Sequence, residues 1–330
     1  MAAPRIDMDF ESIQLGRTRY LRMLATLTPI AHTHLKAMEG HEVRSAMIGL
    51  DATSSGMMQL FGHYLDSGHT PPDQQETLLL ITLLLAINPY LSARGLFAEN
   101  LRWGTALFDH CTRHNWHYQP ALLAQISKAH IECEQPDQQI AFAEPLLATA
   151  LDSHMQASLH LHLTTSYFRK QAYDRALHHA LSAYSVLANE AEPEDIGCAQ
   201  AAMDAFSALV ALRQPQEAEN AARLALRHAI QAGDPFQTAA ALLIQAQAHT
   251  LMKRYDEAFP LYETAVQFFA KMNHLPHVAR ATFNFAVYHH LTGDDDEARR
   301  LAWQSHDLFQ HFGMTTDAYE ADVLLHLLGT

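Results

Sequence analysis

Glycine and proline are both scarce in this chain of 330 residues, with 13 of each, or about 4%. Ordinary globular proteins carry roughly 7% and 5%. Few breakers mean few enforced turns, so the regular elements should be long. A collagen-like, disordered or linker-dominated chain is excluded, and a many-stranded sandwich with Gly-rich turns is disfavoured. Scarce glycine also leaves little room for loops that cradle phosphates. The chain has no GxGxxG and no GxxxxGKS or GxxxxGKT, and it lacks GxSxG, HExxH and kinase-type sets. A non-enzymatic protein without a cofactor is expected.

Lysine is the next shortage. Only Lys36, Lys128, Lys170, Lys253 and Lys271 are present, Lys plus Arg is 22 against 36 Asp plus Glu, and the net charge is −14. Phosphate-neutralising proteins carry a basic stripe. With no basic run, nucleic acid and anionic membrane surfaces are not expected partners. The three cysteines, Cys111, Cys133 and Cys198, are an odd number without CxxC spacing, and the first residues do not read as a signal peptide. A cytoplasmic setting is the expectation. Long hydrophobic runs are missing too. The most apolar stretch, Leu78 to Leu91, is 14 residues and holds Asn88 and Pro89, where a membrane span needs about 20. It reads as a buried helix.

What is present is a repeat. Tyr173-Asp174-Arg175-Ala176 is echoed by Pro215-Gln216-Glu217-Ala218, Tyr255-Asp256-Glu257-Ala258 and Asp295-Asp296-Glu297-Ala298. The anchors Ala176, Ala218, Ala258 and Ala298 are spaced by 42, 40 and 40 residues, and weaker matches place Gln139 and Asn100 in register before them. Four residues after each anchor stand Ala180, Ala222, Tyr262 and Ala302. Seven after stand Ala183, Ala225, Ala265 and Ser305, and twelve before stand Thr164, Phe206, Ala246 and Ala286. Small residues at fixed helical offsets let two helices of a hairpin approach closely. One hairpin cannot bury its apolar face alone, so successive hairpins must stack.

The Tyr-Asp-x-Ala turn and these offsets resemble the tetratricopeptide repeat family, in a long variety of about 40 residues per unit. The resemblance implies an all-α, right-handed superhelical solenoid of stacked antiparallel helix pairs. Six pairs are expected, near 74–92 and 96–114, 118–133 and 137–151, 153–170 and 173–190, 195–212 and 215–232, 235–253 and 255–271, and 275–292 and 295–312. A last helix from Thr315 to about Leu328 would cap the array. Residues 1–70 keep a helical pattern outside the repeat, so a helical N-terminal region is expected there and the solenoid over 71–330. The stretch Ser67-Gly68-His69-Thr70-Pro71-Pro72 reads as the boundary.

Histidine is abundant, at 23 residues. Most close pairs sit one or two apart and cannot face each other on a helix. The spacings that qualify are His110/His114, His114/His117 and His274/His277, and the first two with Cys111 gather metal-ligand types within eight residues. The simpler account is a helix C-terminus favoured by the dipole, and it outweighs a metal site. His130, His249 and His289 fall nine before their anchors, where they should pack between the helices of a hairpin. The acidic runs at Glu190/Glu192/Glu194/Asp195 and Asp294 to Glu297 lie at turns and suit helix N-termini.

In the resembled family the first helix of each pair lines an inner groove. Carried onto this register, the inward positions hold Lys128, Ile131, Leu161, Thr165, Phe168, Arg169, Gln200, Met203, Ser207, Leu243, Gln247, Thr250, Arg280, Phe283, Val287 and His290. Apolar anchors, amides and the cations Lys128, Arg169 and Arg280 together suit an extended peptide or protein segment. For Leu161, Leu243 and Phe283, packing against the next hairpin is an equal alternative. The resemblance thus implies a peptide-binding adaptor or regulator, bacterial in type by its Arg-over-Lys bias. A sensory or scaffold region of a larger signalling protein, ahead of a cyclic-dinucleotide-synthesising or DNA-binding domain, is the second reading, and a His-based metal-dependent activity the third. The open end of a solenoid also allows a homodimer.

Overall fold

A computed structural model describes residues 51, 58, 60–66, 72–116, 120–149, 151–190 and 194–329. The N-terminal region assigned to 1–70 and its boundary at Ser67 to Pro71 fall almost wholly outside the described residues. The described chain is helical, and it divides into two compact units, 1–151 and 152–330.

The first unit contains α1 (Gln74–Ala93), α2 (Phe97–His114), α3 (Ala121–Glu132) and α4 (Pro136–Leu146). Helix α1 starts at a reciprocal cap, in which the Asp73 carboxylate accepts from the Glu76 N–H and the Glu76 carboxylate accepts from the Asp73 N–H, both at 2.9 Å. By length and composition alone α1 could cross a membrane, yet 56% of that stretch is buried against the rest of the unit. Leu80, Ile81, Leu83, Leu84 and Ile87 form a core with Phe61, Trp103, Leu107 and Ile126. Phe61 and Trp103 stack with ring centres 4.5 Å apart. Gly104 lets α2 meet α3: a Cβ there would stand 2.9 Å from Cγ1 of Ile126.

The second unit contains four pairs and a final helix. They are α5 (Ser153–Arg169) with α6 (Tyr173–Ala188), α7 (Asp195–Ala211) with α8 (Pro215–Ala232), α9 (Pro235–Leu251) with α10 (Tyr255–Lys271), and α11 (Leu275–Thr292) with α12 (Asp295–His311). Helix α13 (Thr315–Leu327) follows. Starts are set locally. Pro215 and Pro235 occupy first-turn positions, where the missing N–H costs nothing, and Asp152 and Asp234 cap the Met155 and Gln237 N–H groups at 2.8 Å.

The repeat register has a direct structural meaning. Ala176, Ala218, Ala258 and Ala298 have no exposed surface, and neither do Ala246 and Ala286 twelve residues before the last two. In the first unit the same pair of positions is polar, and the two side chains bond to each other. Asn100 Nδ2 donates to Asn88 Oδ1 at 2.8 Å, and Gln139 Nε2 donates to Ser127 Oγ at 2.9 Å. An amide contact between the helices thus replaces an alanine contact.

Each pair also turns on a left-handed residue five before its anchor. These are Gly95, Glu134, Gln171, Arg213, Lys253 and Gly293, with φ between 55° and 84°. The left-handed conformation ends the first helix and redirects the chain into the second. Only two of the six are glycine, so the scarcity of glycine does not prevent a turn that any residue adopts at some cost in strain.

Candidate functional site

Within the second unit the first helices of neighbouring pairs touch one another: α5 touches α7, α7 touches α9, α9 touches α11, and α11 touches α13. They therefore form a continuous row, and the side chains on its outer surface are the candidate site. Three positions per helix, eighteen, fourteen and eleven before the anchor, carry its polar groups. On α7 these are Gln200, Asp204 and Ser207, and on α11 they are Arg280, Asn284 and Val287. On α9 the last two are Ile244 and Gln247.

Hydrogen bonds organise them. Gln200 Nε2 donates to Asp204 Oδ1 at 2.9 Å within α7. Gln247 Nε2 reaches across from α9 to Asn284 Oδ1 on α11 at 2.7 Å, and Asn284 Nδ2 donates to the Arg280 carbonyl at 2.9 Å. Arg280 Nε and Nη2 clasp the two carboxylate oxygens of Asp317 on α13 at 2.9 and 3.2 Å. Burial pushes the Asp204 carboxyl up to about 7, opposed by the Gln200 hydrogen bond. Among the described residues no cation stands beside it.

The positions read from the sequence divide between this row and the packing beneath it. Gln200, Ser207, Gln247 and Arg280 lie in the row, and Phe168 is exposed at 37%. Leu161, Thr165 and Val287 are half-buried, and Arg169 is exposed. Met203 and Thr250 lie inside. Met203 packs with Ala225 and Ala229, and Thr250 bonds the Ala246 carbonyl at 2.9 Å and lies 3.3 Å from the Tyr262 hydroxyl. Leu243 packs beside Phe269 and beside Tyr262, and Phe283 packs against Phe309. The reason is angular: the position fifteen before the anchor turns toward the second helix of the pair or its neighbour, and eight before it Thr250 does the same while Phe168 stays exposed. His290 Nδ1 lies 2.8 Å from Asp295 Oδ1 at the start of α12. Lys128 and Ile131 belong to the first unit, where Lys128 Nζ lies 3.6 Å from Glu132.

Two row residues, Asp204 and Asn284, were missing from the sequence reading. Extending the register by one residue, to fourteen before the anchor, would have found both.

The histidines serve packing and pairing. His110 Nε2 lies 2.9 Å from the buried Pro72 carbonyl oxygen. His114 stacks on Trp116 at 4.7 Å, burial raises the Cys111 thiol, and His117 lies outside the described residues. Among the described residues no group of three His, Cys, Asp or Glu is placed to hold a metal ion. His249 and His289 sit between the helices of their pairs, with Nδ1 3.7 Å from Glu257 and 3.3 Å from Asp294. His228 bridges three helices, from Tyr184 at 3.0 Å to Asp195 at 2.7 Å.

Residues 237–311, most of α9 through α12, match the tetratricopeptide repeat family. Solved structures share the architecture at low identity. A Rap protein complexed with competence and sporulation factor is 12% identical, with 93% of this chain and 97% of that one covered at a TM-score of 0.55. The apo form of the quorum sensor NprR from B. thuringiensis is 11% identical, with 97% and 92% covered at 0.56. Aspartyl phosphate phosphatase F from Bacillus subtilis is 16% identical, with 92% and 79% covered at 0.55. No curated protein sequence matches the chain. The family match thus covers four helices of the second unit, and the wider likeness is one of fold: all-α, built from stacked helix pairs.

Proposed function

We propose that this chain is a non-enzymatic module that captures an extended peptide or protein segment along the row of first helices in its second unit, acting as a cytoplasmic regulator or adaptor. The observation that carries this reading is the amide ladder of that row. The Gln247 amide spans two neighbouring repeats to reach Asn284, and Gln200 and Asp204 continue the polar surface on α7. Side-chain amides offer both donors and acceptors to an extended backbone, and apolar neighbours such as Ile244 and Val287 accommodate its side chains. The net charge of −14 and the absence of a basic run disfavour nucleic acid and anionic membranes as the ligand.

Random peptides displayed against the full chain test the reading. Enriched peptides should lose at least about tenfold in affinity on a chain carrying Gln200→Ala, Gln247→Ala and Asn284→Ala, with its helical circular dichroism unchanged. Equal affinity for that triple variant would remove the row as the site, and failure to enrich any peptide would remove the peptide reading.

A further inference from the structure

The charges of the row are distributed unevenly. Its cation on α11, Arg280, is engaged by both oxygens of Asp317, so an acidic ligand would have to break that pair. On α7 the situation is reversed. Asp204 is a half-buried residue whose single hydrogen bond comes from the neutral Gln200 amide, and no ion pair reaches it among the described residues. A carboxylate removed from water without a cation is costly, so the free chain keeps the group protonated, and an opposite charge brought to it would let it ionise. Among the described residues no ion pair supplies that charge. In the row, Ser207 one turn along α7 and Ile244 at the same register position on α9 are uncharged, the same position on α5 holds His162, which forms no ion pair with Asp204, and the whole chain carries an excess of 14 negative charges.

We infer that Asp204 selects a basic group on the captured segment, a lysine or arginine side chain or a free N-terminal amine, which completes the coordination that Gln200 begins. The inference rests on the reading of the row as a peptide site and adds the chemistry of its ligand. The cation bonds the carboxylate oxygen left open by Gln200, a charge-assisted contact that is short and strong where water is displaced. The amides of Gln247 and Asn284 then hold the backbone on one side of that contact. Asp204 therefore sets the register of the segment as well as its charge.

The test is a selection of random peptides on the wild-type full chain and, separately, on Asp204→Asn. Peptides enriched on the wild type should carry Lys, Arg or a free N-terminal amine at one fixed place. A synthetic peptide from that set should lose at least about tenfold in affinity when its basic residue becomes Met or its amine is acetylated. On Asp204→Asn the same change should cost less than about threefold, because the charge it answers is gone. Enriched peptides with no basic preference, or a preference kept undiminished on Asp204→Asn, would overturn the inference while leaving the peptide reading intact. No enrichment on the wild type would overturn both. The wild-type arm alone decides the matter even if the variant is poorly folded.

Discussion

A carboxyl group shielded from water with no cation beside it holds its proton, and that choice makes stability depend on pH. The Asp204 carboxyl titrates at about 7 in the folded chain and near the ordinary value of about 3.9 when unfolded. Between these values the folded chain binds more protons than the unfolded one, so stability falls as pH rises from about 4 and the loss is complete above about 7. Asp204→Asn removes the effect. The variant should melt at about the wild-type temperature at pH 5 and a few °C above it at pH 8, read by thermal circular dichroism. An equal difference at both pH values would show that Asp204 is hydrated and ionised throughout. His277 works in the opposite sense. Burial first, then the charges of His274 and Arg280, push it down to about 4, and its ring packs against Phe236 and Phe269. The unfolded chain takes up a proton below about 6.5 that the folded chain refuses. His277→Phe should therefore flatten the loss of melting temperature between pH 6.5 and 4.

At the scale of single elements, the turn inside each pair and the contact between its two helices carry separable costs. Gly293 sits at φ 84° in open space, where an added Cβ would meet nothing within 4 Å. Gly293→Ala should then cost about 1 kcal/mol through backbone strain alone, seen as a lower urea midpoint with an unchanged slope. The amide contact of the first unit behaves differently. Gln139 is fully buried and bonds only across the pair to Ser127, itself fully buried. Gln139→Ala removes that bond and opens a cavity, a loss of about 1–3 kcal/mol. Gln139→Leu, which refills much of the space without the bond, should recover part of that loss. Equal losses for the two variants would mean that the hydrogen bond, not the cavity, dominates.

At the scale of the whole molecule, a solenoid is held by contacts between neighbours, so its last helix protects the pair before it. Helix α13 covers Phe309, which has no exposed surface, and packs Leu324 and Leu325 against Leu301 and Ala286. A chain ending at Gly313 should bind hydrophobic dyes and self-associate at concentrations where the full chain does not, as light scattering would show. The outer surface of α13 is itself partly apolar, with Tyr319 and Leu327 exposed at 68% and 70%.

The helix pairs were legible in the sequence because their cause is local and periodic. Scarce breakers, prolines at first-turn positions and small anchors every 40 or so residues specify where helices begin, turn and pack. The same register located the polar substitutes Asn100 and Gln139, although nothing in it said that each would bond twelve residues back. Which side chains form the accessible row was decided by tertiary structure. A shift of one residue along a helix rotates a side chain by about 100°, enough to carry Met203 and Thr250 inside and to bring Asp204 and Asn284 into the row. The fate of charge was decided there as well. Arg280 reads as a free anchor in the sequence, and only the packing of α13 beside α11 gives it Asp317. Asp204 reads as one more acidic residue among 36, and only its burial without a cation sets it apart.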